Sequence, residues 1–501
     1  MIPKSGNRFS DKIIRKRKMR MNRKTALLCL IALALLTLAP EDGARAQKVF
    51  SRAPGAAPAA PRGGDGYRSS GFGASIPGVL LAIPQFIPPQ GPQTIDDTPS
   101  GPNRPQRATR RGPSGAPPAN ERRMVPNEVV IELPNTMTPQ AIDALQRRSR
   151  LVRIESQVFQ LTGTTLHRWR IADGRSVATM IRQLEADQVV SSAQPNYLFT
   201  LQQSESKAEG DPAQYELAKL HLPQAHQIAR GDNVLVAVID SGVDEAHPDL
   251  AGSVAQRYDT LTTPMAPHMH GTAIAGLIAA HGRLMGSAPG AHVLAIRAFD
   301  PAGKTAEGST FNILKGLDFA VANHARVINM SFAGPGDPMI RRALEAARKK
   351  GVVLVAAAGN AGAKSPPLYP GADPNVIAVS ATDADDKLFE ASNRGTYIAV
   401  AAPGAQILVA IPGGGYEMSS GTSYSAAEVS GIVALMLERK PGLSPDKVMT
   451  ILQATAKDLG PKGPDVMFGA GLADAYGAIT AEEPALAAAP RALERASTGK
   501  K

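Results

Sequence analysis

Cysteine is nearly missing from this chain: there is one in 501 residues, Cys29. A disulfide framework is therefore excluded, and stability must come from a buried core, which a chain of this length can supply. Freedom from cysteine beyond residue 29 is compatible with an oxidising compartment and does not require one. Internal repeats and the alternating pattern of a membrane barrel are absent. The long apolar run Ala26 to Ala39 is shorter than the roughly 20 residues that cross a bilayer. Most of the chain also lacks an excess of positive charge. Residues 1–125 hold 21 Lys/Arg against 7 Asp/Glu, a balance of +14 within a total of +11, so the other 376 residues carry −3. The basic balance is confined to the leader and linker, and no nucleic-acid partner is expected.

The amino-terminal segment bears on compartment. Ten Lys/Arg precede Thr25, the apolar run follows, and Ala44-Arg-Ala46 ends it with small residues two apart. That is the layout of a secretory signal peptide, residues 1–46, for a periplasmic or secreted protein. The alternative is an uncleaved inner-membrane anchor at residues 26–39. Residues 47–125 hold 14 prolines with many Gly and Ala, the composition of a disordered linker.

Periodicity returns at Pro126. Glu128 to Leu133 reads as a strand, and Thr138-Pro139 opens a helix with an N-cap and a first-position proline. Val152 to Leu161 and Thr165 to Ile171 read as strands. Ser176 to Ala186 has helical spacing, and Val189 to Leu201 closes the unit. The order β-α-β-β-α-β predicts a small ferredoxin-like α+β domain over residues 126–203.

Three short blocks further on carry chemistry: Val-Ile-Asp-Ser-Gly with Asp240, His-Gly-Thr with His270, and Gly-Thr-Ser with Ser423. A serine hydroxyl is a weak nucleophile at neutral pH. An imidazole must take its proton during attack, and a carboxylate must hold that imidazole in the right tautomer. Val234 to Ile239 is an apolar run fit for a strand buried on both faces, which places Asp240 at its carboxyl end. His270 and Ser423 each precede a small-residue helical stretch, where free N–H groups favour developing negative charge. Val352 to Ala358 is another buried-strand run, closed by Gly359-Asn360. An asparagine amide there can donate to the oxyanion formed on attack, so Asn360 and the backbone N–H of Ser423 are the oxyanion-hole candidates.

These blocks, their order and their separations resemble the subtilisin-like serine proteases, or subtilases, from about Asp211 to Ile479. The likeness includes His247-Pro-Asp-Leu250, Asn329-Met-Ser-Phe332 and Phe468-Gly-Ala-Gly471. It implies an α/β, subtilisin-like three-layer fold with a mostly parallel sheet over residues 211–480, preceded by the small prodomain. It implies a serine endopeptidase acting on protein or peptide substrates through an acyl-enzyme, with no catalytic cofactor. Ser331, Phe332, Ala333 and Gly359 would line the substrate cleft, Ser331 to Ala333 pairing with the substrate backbone as an added strand. By the same resemblance residues 126–203 look like an inhibitory propeptide, an intramolecular partner of the protease, with residues 204–210 as the processing linker. Residues 481–501 read as a basic tail. Members of the family often use calcium for stability, but no ligand loop can be placed here and the metal sites stay unknown.

Several positions depart from the family pattern. Ala427 and Glu428 stand where a proline and a histidine usually follow the nucleophile, and Ala273 stands in place of a second histidine. Ala333 and Leu368 are larger than the residues common beside the specificity pocket and predict a preference for a small or medium apolar side chain. Two further readings of the same blocks are a catalytically silent binding protein and an acyl transferase or cyclase in which an amine replaces water.

Overall fold

In the computed structural model, residues 114–202, 214–264, 266–301 and 306–482 are described. The signal or anchor segment, the linker through residue 113, the processing linker and the tail from residue 483 lie outside them.

The amino-terminal domain contains β1 (Met124–Pro134), α1 (Pro139–Ser149), β2 (Leu151–Phe159), β3 (Thr164–Ile171), α2 (Val177–Glu185) and β4 (Ser192–Leu201). Its strands run antiparallel in the order β2-β3-β1-β4. The helices start where their caps dictate: Thr138 Oγ1 accepts from the Ala141 N–H, and Ser176 Oγ accepts from the Thr179 N–H. Strand alternation gives the sheet two different faces. Val129, Ile131 and Leu133 pack with Trp169, Met180 and Leu184 in the domain's own core. Val130, Phe159, Leu166, Tyr197 and Phe199 belong instead to a buried cluster centred in the next domain. The first strand begins before the expected Glu128, and before the expected domain start at 126, because Met124 pairs with Tyr197 and the Arg123 carbonyl accepts from the Leu198 N–H at 2.9 Å. The preceding residues, expected in the linker, are tied down at Glu185, which accepts from the Gly115 N–H at 2.6 Å and Ser114 Oγ at 2.7 Å.

The large domain is built on a seven-stranded sheet. Its strands are β5 (Leu235–Asp240), β6 (Val254–Asp259), β7 (His292–Arg297), β10 (Val327–Met330), β12 (Val353–Ala357), β13 (Ile377–Thr382) and β14 (Ile398–Pro403), in the order β14-β13-β12-β10-β5-β7-β6. All pairings within it are parallel. Val236 and Val238 face one apolar layer, with helices α3 (Met269–Ala279) and α6 (Thr422–Arg439). Ala237 and Ile239 face the other, with α4 (Thr310–Ala322) and α5 (Pro338–Lys349). Burial on both faces is why these strands read as unbroken apolar runs, and each large aliphatic side chain so buried contributes about 1.5–3 kcal/mol. Outside the sheet lie a hairpin, Ile407–Ile411 with Gly415–Ser419, and three short strands beside the cleft, β8 (Phe299–Asp300), β9 (Glu307–Ser309) and β11 (Phe332–Ala333).

The amino-terminal domain docks on the starts of α4 and α5. Asn196 Oδ1 accepts from the Phe311 N–H at 3.3 Å, and Gln194 Oε1 accepts from the Met339 N–H at 3.1 Å, so each helix has a terminal donor satisfied from the other domain. Lys315 pairs with Glu155 at 2.6 Å and Arg342 with Glu132 at 2.6 Å. Among the described residues no helix is long and apolar enough to cross a membrane; the apolar run at 26–39 lies outside them.

Candidate active site

The parallel topology gathers the site at the carboxyl end of the sheet. Asp240 is the last residue of β5 and is buried. Its Oδ1 accepts from the Ser241 N–H at 2.7 Å and from Ser241 Oγ at 3.0 Å. His270 is the second residue of α3, and its Nδ1 lies 2.9 Å from both carboxylate oxygens of Asp240. A carboxylate can only accept, so Nδ1 carries the proton and Nε2 is left as the basic nitrogen. That Nε2 is buried without a hydrogen-bond partner among the described residues.

Ser423 is the second residue of α6, and its Oγ donates to the Ser331 carbonyl at 3.0 Å. The acid–base pair is therefore closed, whereas the serine hydroxyl is turned to the cleft wall and makes no hydrogen bond to His270 here. Such bonds commonly tighten only when the reacting group is seated. All three side chains are fully buried, in a medium where each charge interaction counts for more than in water.

Asn360 follows β12 through Gly359. Its Oδ1 accepts from the Thr422 N–H at 3.0 Å and from Thr422 Oγ1 at 2.8 Å, which fixes the flip of the amide. Nδ2 must then point away from Thr422, and it is buried without a partner among the described residues. A buried, unsatisfied N–H donor is costly unless something brings it an acceptor, and a developing oxyanion is such an acceptor. Gly359 has φ +107°, and a Cβ there would lie 2.4 Å from Asn393 Nδ2, so only glycine makes this corner.

Of Ser331, Phe332 and Ala333, the last two pair with a strand of the chain itself. Phe332 pairs with Leu201 and Ala333 with Thr200, antiparallel. On the opposite edge β9 pairs with β4 through Leu198–Ser309, Phe199–Gly308 and Thr200–Glu307. The end of β4 thus runs between two strands of the large domain. Beside it, Gln202, Ala333, Asn360 and Leu368 line a hollow of about 450 Å³.

Other groups hold the site as well, and Ser430 was not among the residues singled out from the sequence. Ser430 Oγ donates to Asn329 Oδ1, Asn329 Nδ2 donates to Ser331 Oγ, and Ser331 Oγ donates to the Ser423 carbonyl, each within 3.0 Å. Ser241 and Thr422 stand next to Asp240 and Ser423 in their motifs, so adjacency could have flagged them. The links from Asn329 and Ser331 to Ser430 and Ser423 join segments about a hundred residues apart, so no local pattern reports them. His268 caps α3 and lies 2.8 Å from Ser241 Oγ, and burial holds its pKa below the usual imidazole range. Among the described residues no three His, Cys, Asp or Glu side chains form a metal-ligand group.

Glu428, in the position where the family usually has histidine, is wholly buried with one carboxyl oxygen unpartnered among the described residues. Burial raises its pKa well above the carboxylate range, and the Glu216 carboxylate raises it further. Burial likewise pushes Glu216 up to about 7.

The chain is similar to known proteins in sequence and in fold. The model of the subtilase family matches residues 231–471. Thermitase from Thermoactinomyces vulgaris is 35% identical over 274 residues, which cover 53% of this chain and 95% of that protein. Subtilisin E from Bacillus subtilis (strain 168) is 36% identical over 256 residues, covering 49% of this chain and 66% of that one. Among solved structures, fervidolysin from Fervidobacterium pennivorans, described as a keratinolytic enzyme related to subtilisin, superposes with a TM-score of 0.62 at 25% identity. The match covers 72% of this chain and 61% of fervidolysin.

Proposed function

The chain belongs to the subtilase family and is a serine endopeptidase; on that premise we propose that it hydrolyses protein substrates with Ser423 as nucleophile, His270 as base and Asp240 as orienter, and that it is made as an exported, self-processing zymogen. The observation that carries this reading is the Asp240–His270 pair closed at 2.9 Å beside Ser423, with the chain's own β4 laid along the cleft.

In the proposed mechanism Ser423 Oγ attacks the substrate carbonyl carbon while His270 Nε2 takes the hydroxyl proton. Asp240, already held by two Ser241 donors, stabilises the imidazolium. The oxyanion is received by Asn360 Nδ2, which has no competing partner among the described residues, and by the Ser423 N–H. His270 then protonates the leaving amine, and water releases the acyl-enzyme. Every proton in this cycle has a donor and an acceptor among these side chains, so no cofactor is called for. Substrate would bind as β4 does, between β9 and β11, its backbone satisfying both edges.

The amino-terminal domain is proposed to be the intramolecular inhibitor, since its last strand occupies the cleft that a substrate would need. Residues 1–46 would direct export, and cleavage in the connecting segment would leave the mature enzyme to begin near Asp211.

The test is reaction with a serine-directed phosphonate, together with hydrolysis of an unfolded protein substrate. Wild type should be labelled and active, and Ser423→Ala should be neither. An unlabelled, inactive wild type would instead support a silent binding protein. Products joined by new amide bonds would identify a transferase.

A further inference from the structure

We propose that His268 is a positioning residue for the reaction: acting through the Ser241 hydroxyl, it governs how Asp240 is hydrogen-bonded and so how strong a base His270 is. This inference rests on the proposed triad and adds a second imidazole behind it.

The observation is a hydroxyl with one hydrogen and two places to put it. Ser241 Oγ lies 3.0 Å from Asp240 Oδ1 and 2.8 Å from His268 Nδ1. It can donate to only one of them, and the proton of His268 decides which. With Nδ1 protonated, His268 donates to Ser241 Oγ and the hydroxyl is turned to Asp240. With Nδ1 bare, the imidazole accepts from the hydroxyl, and also from the His270 N–H at 3.4 Å. Asp240 Oδ1 then keeps the Ser241 N–H at 2.7 Å and the ring of His270 at 2.9 Å. The Gly271 N–H donates to Ser241 Oγ at 3.3 Å, which holds the oxygen while its hydrogen turns.

A carboxylate with fewer donors of its own stabilises an imidazolium better, so the bare form of His268 makes His270 the stronger base. Its protonated form acts in the opposite sense twice over. It turns the hydroxyl onto Asp240, and it sets a positive charge near the one that His270 must acquire. Among the described residues, the charged and titratable groups that act on His268 are Asp240, at the end of β5, and His270, on its own helix α3. Arg297 of β7 is engaged instead by Asp259 and Thr263. Burial holds His268 below the usual imidazole range, with Asp240 opposing that shift and His270 adding to it. The ring is half-buried, so its proton can still exchange with solvent. Capping α3 would need only an acceptor at Nδ1; the bond to Ser241 is what joins His268 to the acid–base pair.

The test is the pH dependence of kcat/KM on a peptide without titrating side chains, read together with the low-field proton resonance of His270 Nδ1–H in the full chain carrying Ser423→Ala, which needs no turnover. Wild-type activity should fall on the acid side more steeply than one titrating group allows, and the resonance should shift in two steps, the second below the usual imidazole range. His268→Asn still caps α3, so it should keep its Tm and lose the second step. Normalised to its own alkaline plateau, it should be up to about tenfold more active than wild type on the acid limb, the equivalent of about one pKa unit of coupling. Ser241→Ala cuts the relay and leaves both imidazoles, and it should lose the second step as well. A second step of wild-type size in Ser241→Ala would refute the relay. A single step in wild type, or an unchanged profile in His268→Asn, overturns the inference and leaves the triad standing. A wild type without activity strikes the triad reading itself, and the number of steps in the resonance then still decides whether His268 acts on Asp240.

Discussion

The two domains bury their apolar residues by different means. The large domain packs both faces of its parallel sheet with its own helices, so each strand is sealed from either side by covalently continuous chain. The amino-terminal domain covers one face of its sheet with α1 and α2 and leaves the other to the large domain's helices. It is a half-finished structure that the protease completes, and its last strand enters the cleft as part of that completion. On the proposed zymogen reading, the contacts that seat this domain also hold β4 between β9 and β11.

The largest expected effect separates chemistry from this packing. Ser423→Ala or His270→Ala should each lower kcat by about 10⁶, and Asp240→Asn by about 10⁴, measured on a peptide substrate. Because Ser423 adds nothing to the domain contacts, Ser423→Ala should still unfold in one transition with the amino-terminal domain seated. Separate melting of the two domains would break the comparison. Asn360→Leu should cost about 10²–10³ in kcat with little change in KM, since its Nδ2 has no partner among the described residues and is the proposed oxyanion donor.

Phe159→Ala sharpens the comparison from the other side. Phe159 lies in the cluster shared with Phe311 and Leu314, so its loss should weaken docking by about 3 kcal/mol. The amino-terminal core, in which it has no part, should keep its own structure. The readout is higher residual activity after cleavage, and unchanged inhibition would show that the cleft strand alone holds the domain. The smallest effect is internal to the large domain. Glu216 is raised by burial from 4.5 to about 7, so the fold favours its protonated form. Stability from that form is present in full below about pH 4.5 and declines as pH rises toward 7. Glu216→Gln should therefore leave Tm unchanged in acid and raise it at and above neutral pH, through a stability gain on the order of 2 kcal/mol.

The chemistry was legible in the sequence because each reactive group sits in a short motif at a strand or helix end, where local spacing reports both element and boundary. Asp240 ends β5, and His270 and Ser423, expected just ahead of their helices, are instead the second residues of α3 and α6. The buried strands were legible for the same reason, since two apolar faces leave no polar alternation. The start of β1 was less so, because Met124 is strand only through its pairing with Tyr197.

The sequence by itself determined the fold class, the kinds of group available for catalysis and the order in which the chain supplies them. Periodicity and motif are local properties, and these features depend on little else. Only the tertiary structure decided that Asn329, Ser331 and Ser430 form a relay behind Ser423, that Glu428 lies buried near a second carboxyl, and that Gln202, just beyond β4, accepts from the Asn360 N–H. Those relations join residues far apart in the chain. Their distances follow from how the sheet stacks its helices and accepts a foreign strand, and no local pattern encodes that.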